Sequence, residues 1–365
     1  MKRTLIGLFT GRMPSECIDP STINLASCGR VLVVRVNVRM GNLLLVTPAF
    51  AALRQALPSA AIDVLCYEDY APLLAHDPDL GQVHGFHRRM LCNPWALARL
   101  ARRLRRARYD LVVDASRGAS LFGAILAGVS GGRYRVAAAG SRYQRFFNVH
   151  VPRRPNLQHK VDLLLAFLGD LGVPPVTRSL RVVLTEAERA LAEARWCEWG
   201  LTPGGPTVGV VVGARRRKRW PREDMRRLIQ HLQARPGLTI VLLAGPEQRE
   251  EASRLSRGLD QPVMVAPQVG IRDFAAVVSC CTLVVTADTG PMHLAAAVGV
   301  PTVAVFHATN ARCYAPHGAL HRAVQGEAAR GIEGTLRAVG EILDRRGAAT
   351  PFAITTSTAS PSVAV

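Results

Sequence analysis

Apolar residues fall along this chain in two alternating rhythms. Short β-branched runs at 30–35, 61–66, 111–114, 207–212, 238–243, 282–286 and 302–306 read as buried strands. Segments of helical period lie between and after them, at 43–57, 95–109, 157–171, 221–235, 248–257, 271–280 and 330–346. Alternation of this kind predicts parallel, doubly wound sheets. It runs twice, with Gly172-Val-Pro-Pro as the linker, so the 365 residues are read as an α/β chain of two Rossmann-like halves, 30–176 and 177–346. Residues 1–29 lack sustained periodicity and read as an extension. Residues 347–365, rich in Ala, Ser and Thr, read as a disordered tail.

One stretch combines both rhythms. Residues 284–306 give a strand, a polar turn at Asp288-Thr-Gly-Pro, a short helix, a stop at Gly299 and a second strand. Asp288 and Thr289 suit a helix N-cap, Pro291 the first turn and Gly299 the C-terminal stop. The pattern presents a helix N-terminus at the carboxyl end of a buried strand, where unpaired N–H groups and the helix dipole favour an anion. Asp-Thr-Gly is also the aspartic-protease triplet, but that chemistry needs two such loops sharing a proton and this chain has one copy.

Charge sharpens the expectation of an anionic ligand. The chain carries 46 basic against 27 acidic residues, a formal net charge of +19, which points to a polyanionic partner. Nucleic acid is not supported: no helix-turn-helix or zinc knuckle is evident, and aromatics at 5% supply few stacking platforms. The helix at 95–109 sets Leu97, Leu100 and Leu104 on one face and arginines around the rest, which fits a solvated outer helix first and one lying on anionic headgroups second. No apolar run reaches membrane-spanning length and no signal peptide is read at the N-terminus. The eight cysteines show no C-x-x-C pair and no grouping with His, so neither metal nor disulfide framework is expected, and the compartment read from them is the cytosol.

The turn after the strand at 207–212 reads Gly213-Ala-Arg-Arg-Arg-Lys-Arg-Trp-Pro221, dense positive charge at the same sheet edge as Asp288. Lys218 or an adjacent arginine would offset charge on a departing phosphate. Arg39-Met40-Gly41-Asn42 forms a second strand-to-helix turn after the first strand, and His293 sits one turn beyond the Asp-Thr-Gly cap, facing the same ligand.

Four blocks together resemble glycosyltransferase family 9, the lipopolysaccharide heptosyltransferases: residues 31–54 with Met40-Gly-Asn-Leu-Leu, Tyr109-Asp-Leu-Val-Val-Asp114, Lys218-Arg-Trp-Pro221, and Ala287-Asp-Thr-Gly-Pro-Met-His through Pro301. The resemblance implies a GT-B fold, an acceptor domain followed by a nucleotide-sugar domain, and transfer of heptose from an ADP-activated donor to a lipopolysaccharide core. That transfer inverts the sugar and needs neither metal nor cofactor. It implies that Gly213, Arg215 and Lys218 lie on the donor side, with Lys218 against the diphosphate. Asp288, Thr289, Gly290 and His293 would form the donor turn, and Glu247 would meet the adenosine ribose. Arg39, Met40 and Gly41 would face an anionic glycolipid acceptor, with peripheral contact at the inner face of the cytoplasmic membrane. One departure stands out: the family usually places Asp, the candidate general base, where this chain has Asn42. Either another carboxylate substitutes (Asp63, Glu68 and Asp69 are nearest in sequence), or the acceptor differs, or the chain is a weakened homologue that binds nucleotide-sugar.

Overall fold

The computed structural model describes residues 17–214, 218–261 and 263–347. Its first half holds strands β1 (Arg30–Arg35), β2 (Ala61–Tyr67), β3 (Val83–Phe86), β4 (Leu111–Asp114), β5 (Tyr134–Ala138) and β6 (Val149–Val151). Its helices are α1 (Met40–Leu44), α2 (Thr47–Ala56), α3 (Pro94–Arg106), α4 (Leu121–Val129) and α5 (Lys160–Gly169). After an extended connector come α6 (Glu186–Glu198), β7 (Thr207–Val212), α7 (Arg222–Gln233), β8 (Thr239–Ala244), α8 (Arg249–Arg257) and β9 (Met264–Val265). Then follow α9 (Ile271–Ser279), β10 (Leu283–Ala287), α10 (Gly290–Ala297), β11 (Thr302–Phe306), α11 (Ala311–Tyr314), β12 (His321–Gln325) and α12 (Glu333–Gly347).

The first sheet runs β3-β2-β1-β4-β5-β6 and the second β9-β8-β7-β10-β11-β12, with every strand pair parallel. Both are doubly wound orders that reverse direction beside the first strand, between β1 and β4 and between β7 and β10. Strands covered on both faces need apolar side chains throughout, which is why β7, β10 and β11 are buried at every position.

Segments differ from the sequence expectation where local chemistry intervenes. The helix expected over 43–57 is two helices. Pro48 has no N–H to offer the Leu44 carbonyl, which accepts the Thr47 hydroxyl instead (2.8 Å). The helix expected from 157 starts at Lys160, because His159 caps it by accepting the Val161 N–H (3.2 Å). The stretch before Arg30 is not a free extension: the Ile18 N–H donates to Asn148 O (2.7 Å), and Ile18, Ile23 and Leu25 pack on the first core. Residues 1–16 and the tail expected from 348 onward lie outside the described residues. No helix among the described residues is long and apolar enough to cross a membrane.

The halves meet through α1 and α10, with Met40, Leu44, Leu294 and Ala297 in one buried cluster that also takes in Val182 of the connector. The connector is tied to both sides. The Arg181 N–H donates to Thr47 Oγ1 (3.0 Å) and the Val182 N–H to Ala297 O (2.8 Å). The Arg181 guanidinium pairs with Asp77 and Asp79 of the first half, and Arg272 of α9 donates to Pro72 O (2.9 Å) and pairs with Glu188.

Across this junction the halves approach closely at Gly41, where a Cβ would come within 2.4 Å of His293 Cδ2. At Gly290 a Cβ would instead meet the mobile end of Met40, at 2.9 Å from Cε. Gly41→Ala is therefore expected to lower unfolding stability by about 1–3 kcal/mol, as overpacking does, while Gly290→Ala costs clearly less. Urea unfolding of the two variants reads the difference.

Candidate active site

The turn after β10 is built around a buried carboxylate. Asp288, 4% exposed, pairs with Lys218 Nζ and accepts the Thr309 hydroxyl (2.5 Å), which follows β11. Thr289 occupies the N-cap of α10 with extended backbone, but its hydroxyl bonds Thr286 Oγ1 (3.1 Å) and caps nothing. Asp288 and Thr289 are thus not side-chain caps as the sequence suggested. Among the described residues no side chain caps the start of α10, which leaves its first N–H groups available to an anion.

Lys218 is held from a second direction. Its ammonium lies 5.8 Å from the centroid of the Tyr314 ring, and Lys160 Nζ of the first half lies 5.6 Å from the same ring. One aromatic face system therefore receives an ammonium from each half. Burial raises the Tyr314 hydroxyl pKa, against the pull of Arg39 and Arg35.

Gly213, at φ 95, turns the chain out of β7 where a Cβ would come within 2.2 Å of Gln248 Cγ. That packing sets Gly213 beside the short turn Pro246–Gln248, which carries the exposed Glu247. Arg215 lies outside the described residues. His293, expected to face the ligand at this turn, lies buried where the two halves meet. It is 4% exposed, its ring lies under Gly41, and Nδ1 is buried with no hydrogen-bond partner among the described residues. Burial pushes its imidazole down to about 4, outweighing the pull of Asp288.

On the first half, the carboxyl ends of β1 and β4 border a small recess of about 40 Å³ lined by Arg35, Asn42, Ser116, Arg117 and Lys160 among others. Asn42 is half-buried, and its carbonyl accepts Arg35 Nε (3.0 Å). Arg39 is exposed, and Met40 is buried against Gly290. Asp114 stands fully buried behind the recess and accepts Ser116 N (2.9 Å), Ser116 Oγ (2.6 Å) and Gly118 N (2.6 Å). Those bonds hold Arg117 in the left-handed region (φ 54), a strained conformation for a residue with a side chain. Burial lowers the Arg35 and Arg117 pKa values, so each guanidinium gains from an incoming anion.

Among the described residues, none lining this recess is a carboxylate. Asp63 cannot substitute: it accepts Tyr109 Oη (2.7 Å) and Gln82 N (2.8 Å), beside the amino ends of β3 and β4, at the opposite edge of the sheet. Glu68 and Asp69 line a separate cavity of about 400 Å³ with His87, Arg89 and Asn93. The sequence reading reaches Lys218, Asp288 and Asn42 but misses Arg117, Lys160, Thr309 and Tyr314. Thr309 and Arg117 carried one usable signal, a polar residue within a few positions of a buried strand's carboxyl end.

The model of the family described as Glycosyltransferase family 9 (heptosyltransferase) matches residues 97–333. Lipopolysaccharide heptosyltransferase 3 of Escherichia coli is 26% identical over 284 residues, covering 74% of this chain and 81% of that protein. The glycosyl transferase family 9 structure from Veillonella parvula superposes with a TM-score of 0.79 at 21% identity, covering 88% of this chain and 99% of that one. The E. coli heptosyltransferase WaaC with ADP-2-deoxy-2-fluoro heptose is 25% identical, with a TM-score of 0.65 and coverage of 87% and 99%. The fold is GT-B.

His293 sets a pH dependence. Its imidazole titrates near 6.5 when unfolded and near 4 when folded, so between those values the unfolded chain binds the extra proton and stability falls as pH falls. Urea unfolding at pH 7 and pH 5 should show a loss from this residue on the order of 2 kcal/mol. His293→Gln is expected to remove that part of the slope, whatever its effect at pH 7.

Proposed function

The chain belongs to glycosyltransferase family 9, and on that premise we propose that it moves a heptose or related sugar from an ADP-activated donor to a lipopolysaccharide core acceptor, with inversion and no metal at the reacting centre. Membership makes it a glycosyltransferase. The observation that carries the finer reading is the Lys218–Asp288 pair at the uncapped start of α10, facing Arg35, Arg117 and Lys160 of the other half.

In this reading the donor diphosphate lies on the free N–H groups at Thr289 and Gly290. Lys218 takes up the charge that builds on departing ADP, and Asp288, fixed by Thr309, aims the lysine. Glu247 receives the ribose hydroxyls beside the Gly213 turn, whose Arg215 adds charge. His293, neutral and buried, floors the site and holds the halves in register. Arg35, Arg117, Lys160 and Arg39 take phosphate groups of the acceptor, against a wall formed by Met40 and Gly41. Inversion in one step requires the acceptor oxygen to lose its proton as it attacks. Asn42 can accept a hydrogen bond from that hydroxyl through its amide oxygen but cannot take the proton, and a missing general base costs on the order of 10²–10⁴ in rate.

That residue also favours a second reading, a weakened homologue that binds nucleotide-sugar. One assay separates them. With ADP-heptose and a lipid A–core acceptor, the wild-type chain is expected to transfer sugar slowly. Lys218→Ala should lower that rate about 10²–10³-fold, and Asn42→Asp should raise it about 10²-fold or more. Binding of ADP-heptose without wild-type transfer, with activity appearing only in Asn42→Asp, selects the second reading. Undiminished transfer by Lys218→Ala refutes the first.

The acceptor reading carries a membrane corollary, with the protein working at the cytoplasmic face. Along α3, Trp95 is 85% exposed, and Arg99, Arg102, Arg103 and Arg106 share its outer surface while Leu100 and Leu104 are buried. Such a face gains about 1 kcal/mol per arginine on an anionic bilayer. Sedimentation with phosphatidylglycerol vesicles is expected for the wild type, with at least a tenfold weaker partition for Arg99→Glu/Arg102→Glu/Arg106→Glu and none on neutral vesicles.

A further inference from the structure

Three side chains for which sugar transfer has no evident use converge where α5 meets the loop after α11. His159, buried at the N-cap of α5, donates from Nε2 to Ala315 O (2.9 Å), and its Nδ1 faces His317 Nε2 at 2.8 Å. Asp162, in the first turn of α5, places Oδ2 3.6 Å from that same His317 nitrogen, while its Oδ1 accepts Arg178 Nε (2.7 Å). The three ligand atoms all lie within 4.8 Å of one another. We propose that His159, Asp162 and His317 bind one divalent transition-metal ion, zinc by the chemistry of the donors, which clasps the two halves together.

Two imidazoles and one carboxylate form the N₂O set that suits zinc rather than calcium or magnesium, which favour oxygen. The surrounding bonds are those of a ligand shell. A ring N–H of His159 goes to a backbone carbonyl and fixes which nitrogen faces the site, and an arginine holds the carboxylate oxygen turned away from it. Binding replaces the hydrogen bond between the rings. His317 moves its proton from Nε2 to Nδ1, both rings stay neutral, and the nitrogens part from 2.8 Å to the roughly 3.4 Å of tetrahedral ligands about 2.1 Å from zinc. The Val161 N–H, which shares His159 Nδ1, turns to solvent or the ion's fourth ligand, a water.

The position gives the ion a structural task. His159 precedes Lys160 and His317 follows Tyr314 by three residues, so the ion fixes both partners of the Lys160–Tyr314 contact and with them the seat of Lys218. It would act as a clasp and not as a Lewis acid on the sugar phosphate, and it holds whatever sugar is moved.

Cobalt(II) tests this on the full chain after chelation and dialysis, because cysteine and histidine ligands give different spectra and Cys17, Cys92 and Cys197 are exposed. One equivalent is expected, with visible absorption of nitrogen/oxygen-ligated cobalt and no sulfur charge-transfer band. Asp162→Asn should weaken binding at least tenfold and His317→Ala abolish it, with zinc raising the thermal midpoint of the wild type and leaving that of His317→Ala unchanged. The absence of stoichiometric binding, a sulfur spectrum, or binding unchanged in both variants overturns the proposal and leaves the cluster as a histidine–histidine hydrogen bond. If His317→Ala does not fold, Asp162→Asn decides.

Discussion

The cleft depends on how closely two helix starts approach. Helix α1 lies on α10 because Gly41 has no side chain where the ring of His293 sits, and that contact brings the reversal points of the two sheets face to face. Ligands of doubly wound sheets bind at such points, so the approach decides that one ligand can touch both halves. Loss of the glycine would separate them by the width of a methyl group. The connector reinforces the arrangement, since Arg181, Val182 and Arg272 bond across it in both directions.

Two buried carboxylates give the cleft its charge pattern in different ways. Asp288 holds a cation in place, and Asp114 holds a loop so that a cation, Arg117, is presented in a strained backbone. Around them Arg35, Lys160 and Lys218 converge near the Tyr314 ring. Burial works against Arg35 and Arg117, so the arrangement is most stable with an anion bound. Groups already aimed at developing negative charge need no reorganisation when it appears, which is the electrostatic basis of rapid group transfer.

Sequence legibility followed the range of the interactions involved. Strands such as β7 and β11 are rich in β-branched residues and read plainly, whereas β6 and β9 are too short to show a pattern. Helix α4, Leu-Phe-Gly-Ala-Ile-Leu-Ala-Gly-Val, is apolar on nearly all sides and has little period to read. Helix α6 did carry a local signal, the Thr185–Glu188 capping box, which a search for apolar rhythm passes over. Lys218 and Asp288 were each legible from turn chemistry, but their pairing joins residues 70 positions apart. Tyr314 and Lys160 announce nothing locally, because their importance arises only when the halves close on each other. The burial of His293 has the same origin: the sequence places it on the helix, and the glycine that covers its ring belongs to the other half.

The two sides of the cleft are made of different material, and this bears on how such proteins diversify. The α10 side offers backbone N–H groups at a helix start, a property of the fold that few single substitutions can alter without unfolding the turn. The recess beneath Asn42 is lined largely by the ends of side chains, each replaceable by one codon change at modest cost. If the nucleotide lies on the α10 side and the acceptor in the recess, as proposed above, a lineage built on this plan can keep one nucleotide currency while changing acceptor.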